Sequence, residues 1–411
     1  MIEGIGDNII LLVSSTLILC YLGHVFYTKT KIPDIIWVLF FGILLGPVLG
    51  FFEKELFLSI SPLMSTVALS IILFEAGINV DITRVMRAII RSSLLSVATI
   101  LSVIISVGYL LVFIMPSSFT LYQGMLLGAM IGGTSTISVF GVIGGLEKIL
   151  SDIESTKLLL IMESVISDPI CIIASITIIK MIMLPGITMR DVYSDILFTF
   201  SIGSLMGFMF GIIWALVLDM MHKRSFNYII TIAVLFPTYL LAEYVGGHGA
   251  GPVSALLFGL ALTNFQYIAK RVGFNKKVRI DRRRLRDFHE EITFFVKSFF
   301  FVYIGLIVTL SLRYAILGMI VLALIMGVRF IVVKIVGQVL QFSAQEEVLS
   351  TVIYASGLPA FVMSQLPMIF DPDKQFFLNP EIYPNLTMPI VLGTVLFGAI
   401  AGPIIAKKRL T

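Results

Sequence analysis

The sequence predicts an all-α polytopic membrane protein with about thirteen transmembrane helices. Of its 411 residues, 58% are hydrophobic and only 13% are charged, and a soluble domain of this length needs more polar surface than that. A helix that crosses about 30 Å of hydrocarbon needs roughly 20 apolar residues, and such runs recur along the whole chain. The runs are rich in Ile, Leu, Val and Phe without strict alternation, which excludes an outer-membrane β-barrel.

Short connections join most of the apolar runs, so we expect one membrane domain that fills residues 1–411. Basic residues in short loops stay on the cytoplasmic side of a membrane. If the N-terminus lies outside the cell, most of the 29 Lys and Arg residues fall in cytoplasmic segments. This predicts a multi-pass protein of the cell membrane with a cytoplasmic C-terminus. The predicted spans are 8–27, 33–51, 60–79, 92–115, 120–144, 157–179, 196–218, 226–245, 249–266, 292–312, 314–341, 348–368 and 386–406.

Several classes of function have no matching signal in the sequence. The two cysteines, Cys20 and Cys171, lie inside apolar runs and are expected to be packing residues. The four histidines form no metal-binding spacing, and neither a phosphate loop nor a nucleophile elbow is present. We therefore expect a transporter and not an enzyme, with no cofactor. The basic stretch 267–291 is expected to set topology and to contact lipid headgroups, not nucleic acid.

Four charged residues fall deep inside predicted helices, where a charge is costly and is therefore a candidate for function. Three are acids, and the one base lies in the apolar run LIMGVRFIVV. A buried charge needs an opposite charge beside it, so we expect Arg329 to pair with Glu163. The four residues are Glu75, Glu163, Asp168 and Arg329.

The segment MESVISDP places two carboxylates and two hydroxyls within about 140° of one helix face. Pro169 follows Asp168 directly and cannot donate a hydrogen bond to the carbonyl of the preceding turn, which leaves that oxygen for a cation or water. Hard cations prefer such oxygen ligands, and a carboxylate can hold a proton in place of the cation. A buried ion pair that only orders the bundle is the alternative. The four residues are Glu163, Ser164, Ser167 and Asp168.

Two predicted helices contain glycine or proline at mid-depth, which predicts unwound backbone that lines a cavity or the protein interior. The fifth helix contains Gly132-Gly133 followed by Thr134, Ser135 and Thr136, and the twelfth contains Gly357 and Pro359. Interrupted helices at corresponding positions of two halves are typical of inverted-repeat transporters. Helices 1–6 and 8–13 are the expected repeats, with the two broken helices crossing at the binding site.

These residues resemble the cation:proton antiporter superfamily, and most closely its NhaP-type sodium/proton antiporters. The resemblance runs over nearly the whole chain in the same order. It rests on KIPDIIWVLFFGILLGP (31–47), LFEAGI (73–78), ESVISDP (163–169), GGHGAGPVSALLFGLALTN (246–264), FFVKSFFFVYIGL (294–306) and YASGLPAFVMSQLP (354–367).

The resemblance implies an NhaA-like antiporter fold, assembled as a homodimer in the lipid bilayer, that transports by elevator-type movement of a core bundle. The dimerisation bundle would comprise about 1–80 and 226–312, the core bundle about 92–180 and 314–406, and the linker helix about 196–218. Roles are implied for individual residues. Asp168 would bind Na⁺ or a proton, Ser164 would be a ligand of the same Na⁺, and Thr134 and Ser135 would lie beside the ion. Supporting roles would fall to Glu163, Arg329, Ser167, Glu75 and Thr136, and Gly133, Gly357 and Pro359 would form the broken-helix backbone.

Three positions depart from the NhaP pattern. Ser135-Thr136 replaces Asp-Pro, Ser167 replaces the Asn before the aspartate, and Ser356 replaces an Arg. One carboxylate is therefore missing from the expected cation shell, which keeps K⁺/H⁺ exchange open beside Na⁺(Li⁺)/H⁺ exchange. A single carboxylate at Asp168 predicts electroneutral 1:1 exchange, although Lys297 could contribute charge. A sodium-coupled symporter of organic anions and a passive channel are the more distant alternatives.

Overall fold

The structure, a computed structural model, describes residues 5–30, 34–52, 61–135, 139, 143, 153–184, 186, 188–221, 227–271, 273 and 278–410. All regular elements in these ranges are helical. The first seven helices are α1 (Ile5–Thr30), α2 (Asp34–Ile43, continued by a π-helical turn Leu44–Val48), α3 (Ser61–Asn79), α4 (Ile82–Ile114), α5 (Leu121–Ile131), α6 (Glu154–Met183) and α7 (Met189–Met220). The next four are α8 (Asn227–Gly246), α9 (Ala250–Thr263), α10 (Phe265–Arg271) and α11 (Arg282–Ile307). The last six are α12 (Leu312–Leu340), α13 (Ala344–Val352), α14 (Leu358–Ser364), α15 (Leu366–Phe370), α16 (Ile382–Leu396, followed by a π-helical turn Phe397–Ala401) and α17 (Gly402–Leu410).

Seven helices in the described ranges are long and apolar enough to cross a membrane, and an eighth is added if α9 and α10 form one span bent by 79°. Shorter apolar helices include α5 and the α14–α15 region. The prediction of an all-α polytopic membrane protein is therefore confirmed, whereas the total of about thirteen spans and the inverted repeat stay predictions.

Among the described residues, three helices begin with a capping box, in which the residue before the helix and the third helical residue exchange hydrogen bonds. This reciprocal pair satisfies backbone N–H groups that have no partner inside the helix. The starts of α5, α7 and α13 are thus specified by local sequence. The pairs are Thr120–Gln123, Thr188–Asp191 and Ser343–Glu346.

The chain packs as two compact units. The first comprises the described residues of Met1–Met64, Ala88–Met183 and Ser298–Thr411, and the second those of Ser65–Arg87 and Leu184–Lys297. Asp168 and both predicted helix breaks belong to the first unit, and Glu75 to the second.

In the second unit, three glycines at intervals of four residues allow α7 to lie directly on the backbone of α9. A Cβ on any of them would lie between 2.4 and 2.7 Å from a carbonyl oxygen of α9, a distance at which something must shift. Small residues spaced by four are a common means of close helix packing in membranes, where the hydrophobic effect does not drive helices together. The pairs of glycine and carbonyl are Gly203 with Ala250, Gly207 with Ser254 and Gly211 with Phe258.

In the first unit, the loop between α15 and α16 is anchored by the buried carboxylate of Asp371. Its oxygens accept hydrogen bonds from the backbone N–H groups of Gln375 (2.9 Å), Phe376 (2.7 Å) and Phe377 (2.7 Å). Burial alone raises the pKa of Asp371, but the three N–H donors outweigh it and hold the pKa below its usual value. The ionised carboxylate is therefore the form that stabilises the loop.

Because the pKa of Asp371 is lower in the folded protein, its contribution to stability is present above the ordinary carboxylate pKa and is lost as the pH falls through the lowered one. We expect Asp371→Asn to lower the melting temperature near neutral pH. Between about pH 6 and about pH 3, the melting temperature of the variant should fall less than that of the wild type. Melting temperatures in detergent would be compared with those of Asp373→Asn, an exposed neighbour. Parallel pH curves for wild type and Asp371→Asn would contradict the anchoring role.

Candidate cation site

Two stretches of the described residues in the first unit are not helical. Helix α5 ends at Ile131, and residues 133–135 are not helical. Likewise, α13 ends at Val352 and α14 begins at Leu358, and residues 353–357 between them are not helical. The pair of broken helices stays a prediction. Thr136 lies outside the described residues.

Three hydrogen bonds join residues 353–357 to the end of α5 and to Ser135. The N–H of Ser135 donates to the carbonyl of Ala355 (2.7 Å). The hydroxyl of Tyr354 donates to the carbonyl of Gly132 (3.1 Å), and that of Ser356 to the carbonyl of Ile131 (2.7 Å). Backbone groups freed at a helix end need partners when water is excluded, and here each segment supplies them to the other.

Gly357 and Pro359 make this approach possible. A Cβ on Gly357 would lie 3.0 Å from the Cβ of Ser135, which is tighter than nearly all real contacts. Pro359 lies in the first turn of α14, where its missing N–H has no carbonyl to reach. Gly357 therefore permits the close contact with Ser135, and Pro359 suits the first turn of α14.

The polar face of α6 lies against the segment that follows α5. Ser164 Oγ donates to the carbonyl of Thr134 (2.9 Å), and the N–H of Thr134 donates to Ser167 Oγ (3.1 Å). Ser167 Oγ in turn donates to the carbonyl of Ser164 (3.0 Å). All three side chains are buried. The hydroxyls and carbonyls of these residues form a buried oxygen-rich patch.

Asp168 lies at the edge of this patch, next to Gly133. A Cβ on Gly133 would be 3.4 Å from Asp168 Oδ1 and 3.6 Å from Ser167 Oγ. Asp168 is half-buried, whereas Ser164 and Ser167 are fully buried. Among the described residues, no three His, Cys, Asp or Glu side chains form a group that could hold a metal ion. One carboxylate with several neutral oxygens suits a hard monovalent cation better than a transition metal.

Glu163 and Arg329 form a fully buried ion pair in the same unit, with side-chain exposures of 1% and 0%. Arg329 donates from both terminal nitrogens to the two carboxylate oxygens, at 2.8 Å between Nη2 and Oε2. Its remaining donors reach the carbonyl of Ser350 (2.8 Å) and Thr99 Oγ1 (2.9 Å). The guanidinium also lies 5.1 Å from the ring centre of Tyr354. The pair joins α4, α6, α12 and α13.

Glu75 belongs to the second unit, where Lys297 Nζ donates to its Oε2 at 2.6 Å. Both side chains are largely buried. The ion pair between Glu75 and Lys297 was not predicted from the sequence. The expectation that Glu75 lies near the ion stays a prediction.

Several residues that support the site were missed at the sequence level. Ser96 donates to the carbonyl of Glu163 (3.1 Å), and Thr99, three residues later, contacts Arg329. Their spacing on one face of an apolar helix was a usable signal. Tyr354 was not distinguishable from an ordinary core aromatic residue.

Comparisons with known proteins identify the family of the chain. The family model described as "Sodium/hydrogen exchanger, transmembrane" matches residues 14–407. The Na(+)/H(+) antiporter ApNhaP of Aphanothece halophytica is 25% identical over 268 residues, which cover 64% of this chain and 48% of that protein. The probable Na(+)/H(+) antiporter 2 of Methanocaldococcus jannaschii is 24% identical over 320 residues, which cover 73% and 71%. The match thus spans about half the length of the first relative.

Solved structures show the same fold. The sodium proton antiporter MjNhaP1 of Methanocaldococcus jannaschii at pH 8 superposes with a TM-score of 0.82 at 19% identity, covering 98% of this chain and 99% of that one. A second structure of MjNhaP1, from a 3D EM map, gives 0.75 at 19% identity and covers 98% of both chains. The resemblance to NhaP-type antiporters is confirmed. The chain belongs to the transmembrane sodium/hydrogen exchanger family.

Proposed function

We propose that this protein exchanges a monovalent cation, Na⁺ or Li⁺ first, for a proton at Asp168. The observation that carries the proposal is the position of this carboxylate beside Gly133, at the edge of a buried patch of hydroxyls and carbonyls. An ionised carboxylate removed from water needs a compensating charge. A cation and a proton are therefore alternative occupants of one group, which is the minimum chemistry of an exchanger.

In this mechanism, Asp168 and the hydroxyl oxygen of Ser164 bind Na⁺ directly. Thr134, Ser135 and Ser167 stand close to it, and their hydrogen bonds hold the oxygens in place. Glu163 and Arg329 neutralise each other and keep the surrounding helices together. Protonation of Asp168 releases the cation, and loss of the proton allows the next one to bind.

We further propose that exchange is electroneutral, with one cation for one proton. Asp168 is the carboxylate of the patch, and Ser167 before it cannot titrate near neutral pH. Lys297 is the group that could add a charge, and its ion pair with Glu75 gives a combined charge of zero. Lys297 therefore has a neutralising partner within its own unit.

The architecture proposed for transport has about thirteen spans in two inverted repeats, with the N-terminus outside the cell and the C-terminus in the cytoplasm. A homodimer forms through about 1–80 and 226–312, and the core of about 92–180 and 314–406 moves like an elevator. These bundles are defined by movement and by contact with a second copy. The two compact units are defined by packing within one chain, so neither division tests the other.

K⁺/H⁺ exchange on the same fold is the second candidate. It is favoured by Ser135, which occupies a position where the NhaP pattern has a carboxylate. With one charged ligand fewer, the site has less attraction for Na⁺, which holds its hydration shell more tightly than K⁺ does. An organic-anion symporter would call for a basic or amide-lined cavity, whereas the arginine beside this patch is paired with Glu163.

The function can be tested by proton flux in proteoliposomes under an imposed pH gradient. We expect Na⁺ and Li⁺ to collapse the gradient and K⁺ to leave it in place, because Asp168 supplies a charged oxygen ligand to a small hard cation. Collapse by K⁺ alone would assign the selectivity to Ser135 and overturn the Na⁺ proposal. If no cation moves protons relative to protein-free liposomes, the fold serves another transport reaction.

The same vesicles test the stoichiometry. Flux would be compared at several imposed membrane potentials, and an electroneutral cycle predicts equal rates. A rate that changes steadily with voltage would overturn the 1:1 exchange and would make Lys297 the first residue to examine.

A further inference from the structure

An open cleft of about 190 Å³ lies between α12, α13 and α17 in the first unit. Most of the side chains that line it are apolar, and they include Met326 and Phe330 of α12, Val348 and Val352 of α13, and Ile405 of α17. An apolar cavity of about 150 Å³ is already large enough to bind a molecule of the size of benzene. The cleft therefore has room for an apolar ligand or for part of one.

One end of the cleft is positively charged. Among the described side chains that line it, only Arg409 is charged, and it is exposed in the last turn of α17. No acid of the described residues lies within ion-pair distance of Arg409. Glu346, an acid at the start of α13, is bound by Arg91 through both carboxylate oxygens (2.8 and 2.9 Å). The charge of Arg409 is therefore available to an anion.

The cleft runs from the end of a membrane span toward its interior. The span Ile382–Arg409 is long and apolar enough to cross a membrane, and Arg409 is its last residue. Phe397, in the π-helical turn of the same span, also lines the cleft. The 12 residues from 397 to 409 correspond to roughly 18 Å along a helix axis. The apolar part of the cleft therefore lies at the depth of the acyl chains and the charge at the level of the headgroups.

These two properties together select the occupant. Empty apolar space between helices is unfavourable, and water does not fill apolar cavities of this kind. At this depth of a bilayer the available filler is an acyl chain. A guanidinium binds phosphate oxygens with two parallel hydrogen bonds, and basic residues next to a span attract anionic lipids. An anionic phospholipid carries both groups, the chain and the phosphate, in one molecule.

We propose that the cleft binds one anionic phospholipid, with an acyl chain between α12, α13 and α17 and the phosphate on Arg409. This site goes beyond the exchange reaction proposed at Asp168 and does not depend on it. The chain fills the space beside α13, whose last residue, Val352, lines the cleft and adjoins residues 353–357. A ligand that binds only the folded state stabilises it, so the lipid should raise the stability of the protein.

The test is the binding of phosphatidylglycerol to the full chain in detergent, with phosphatidylcholine of the same acyl chains as the reference. Native mass spectrometry would measure the lipid retained, and thermal unfolding would give the melting temperature. We expect one phosphatidylglycerol to be retained and to raise the melting temperature by about 3 °C more than phosphatidylcholine does. Arg409→Gln should weaken the binding about fivefold. Lys408→Gln is the matched control, because it removes the same charge from an exposed neighbour that does not line the cleft, and it should bind like the wild type.

Glycerol 3-phosphate, which has the phosphate but no acyl chains, separates the two parts of the site. It should leave the melting temperature unchanged, and stabilisation equal to that by phosphatidylglycerol would show a simple phosphate site and overturn the proposal. Equal binding of phosphatidylcholine would overturn the role of the anionic headgroup. Equal losses in Arg409→Gln and Lys408→Gln would show diffuse attraction by surface charge in place of a site. Failure of the proposed function is recognised separately, as persistent exchange in Asp168→Asn, and does not alter these readouts.

Discussion

Replacement of Asp168 by Asn should abolish cation-driven proton flux while the protein still folds and inserts. The amide has nearly the same size as the carboxylate, so the contact with Gly133 is kept. It carries no charge for a cation and has no site that titrates near neutral pH. The variant therefore binds neither the cation nor the transported proton at this position. Proton flux in proteoliposomes would fall to the level of protein-free vesicles, with a melting temperature within about 2 °C of wild type.

Asp195→Asn provides a control, because Asp195 is an acid of α7 in the second unit. It should exchange cations at the wild-type rate. In the wild type, the apparent cation affinity should fall as the pH is lowered, because the proton occupies the cation's ligand. Exchange that survives in Asp168→Asn, or an affinity that stays flat with pH, would show that another group binds the ion.

Arg329→Ala should damage the fold more than any other single substitution considered for this chain. It leaves Glu163 charged and buried at 1% exposure, and it removes the donors to Ser350 and Thr99. Breaking a buried ion pair by removing one partner typically costs about 3–5 kcal/mol. We expect a large drop in melting temperature and in the yield of folded protein, measured by thermal unfolding in detergent and by size-exclusion profiles.

Two further variants test the ion pair if Arg329→Ala does not fold. Arg329→Lys keeps the charge but cannot make the bidentate contact, so an intermediate loss is expected. The double variant Glu163→Gln with Arg329→Met removes both charges and should be more stable than Arg329→Ala, because no unpaired charge remains. Unchanged stability in Arg329→Ala together with lost transport would assign Arg329 to the ion path.

Much of the fold could be predicted because lipid imposes strict rules on composition. Apolar runs of sufficient length identify spans, and Gly357 with Pro359 identifies an interruption, since neither residue suits the middle of a helix. An acidic partner for Arg329 could also be expected from the sequence, because a charge buried in lipid requires an opposite charge nearby. The structure shows that this partner is Glu163.

Other features could not be predicted because they depend on the register between distant helices. The Glu75–Lys297 pair joins residues 222 positions apart, and no periodicity within one helix indicates which residue of another helix lies opposite. Tyr354 contacts Gly132 through a main-chain oxygen, which is the same in every residue and leaves no trace in the sequence. By contrast, Gly203, Gly207 and Gly211 follow a recognisable spacing, so the packing of α7 on α9 could have been predicted.

The mutual hydrogen bonding of the two non-helical segments has a consequence for biogenesis. Tyr354 and Ser356 lie 222 and 225 residues after the carbonyls that they satisfy. During synthesis, the segment after α5 therefore enters the membrane long before its partner exists. Its free backbone groups must meanwhile be hydrated or shielded by other parts of the chain, because lipid offers them no hydrogen bonds. We expect the site to be assembled only after the C-terminal third has inserted, which makes this contact a late step in folding.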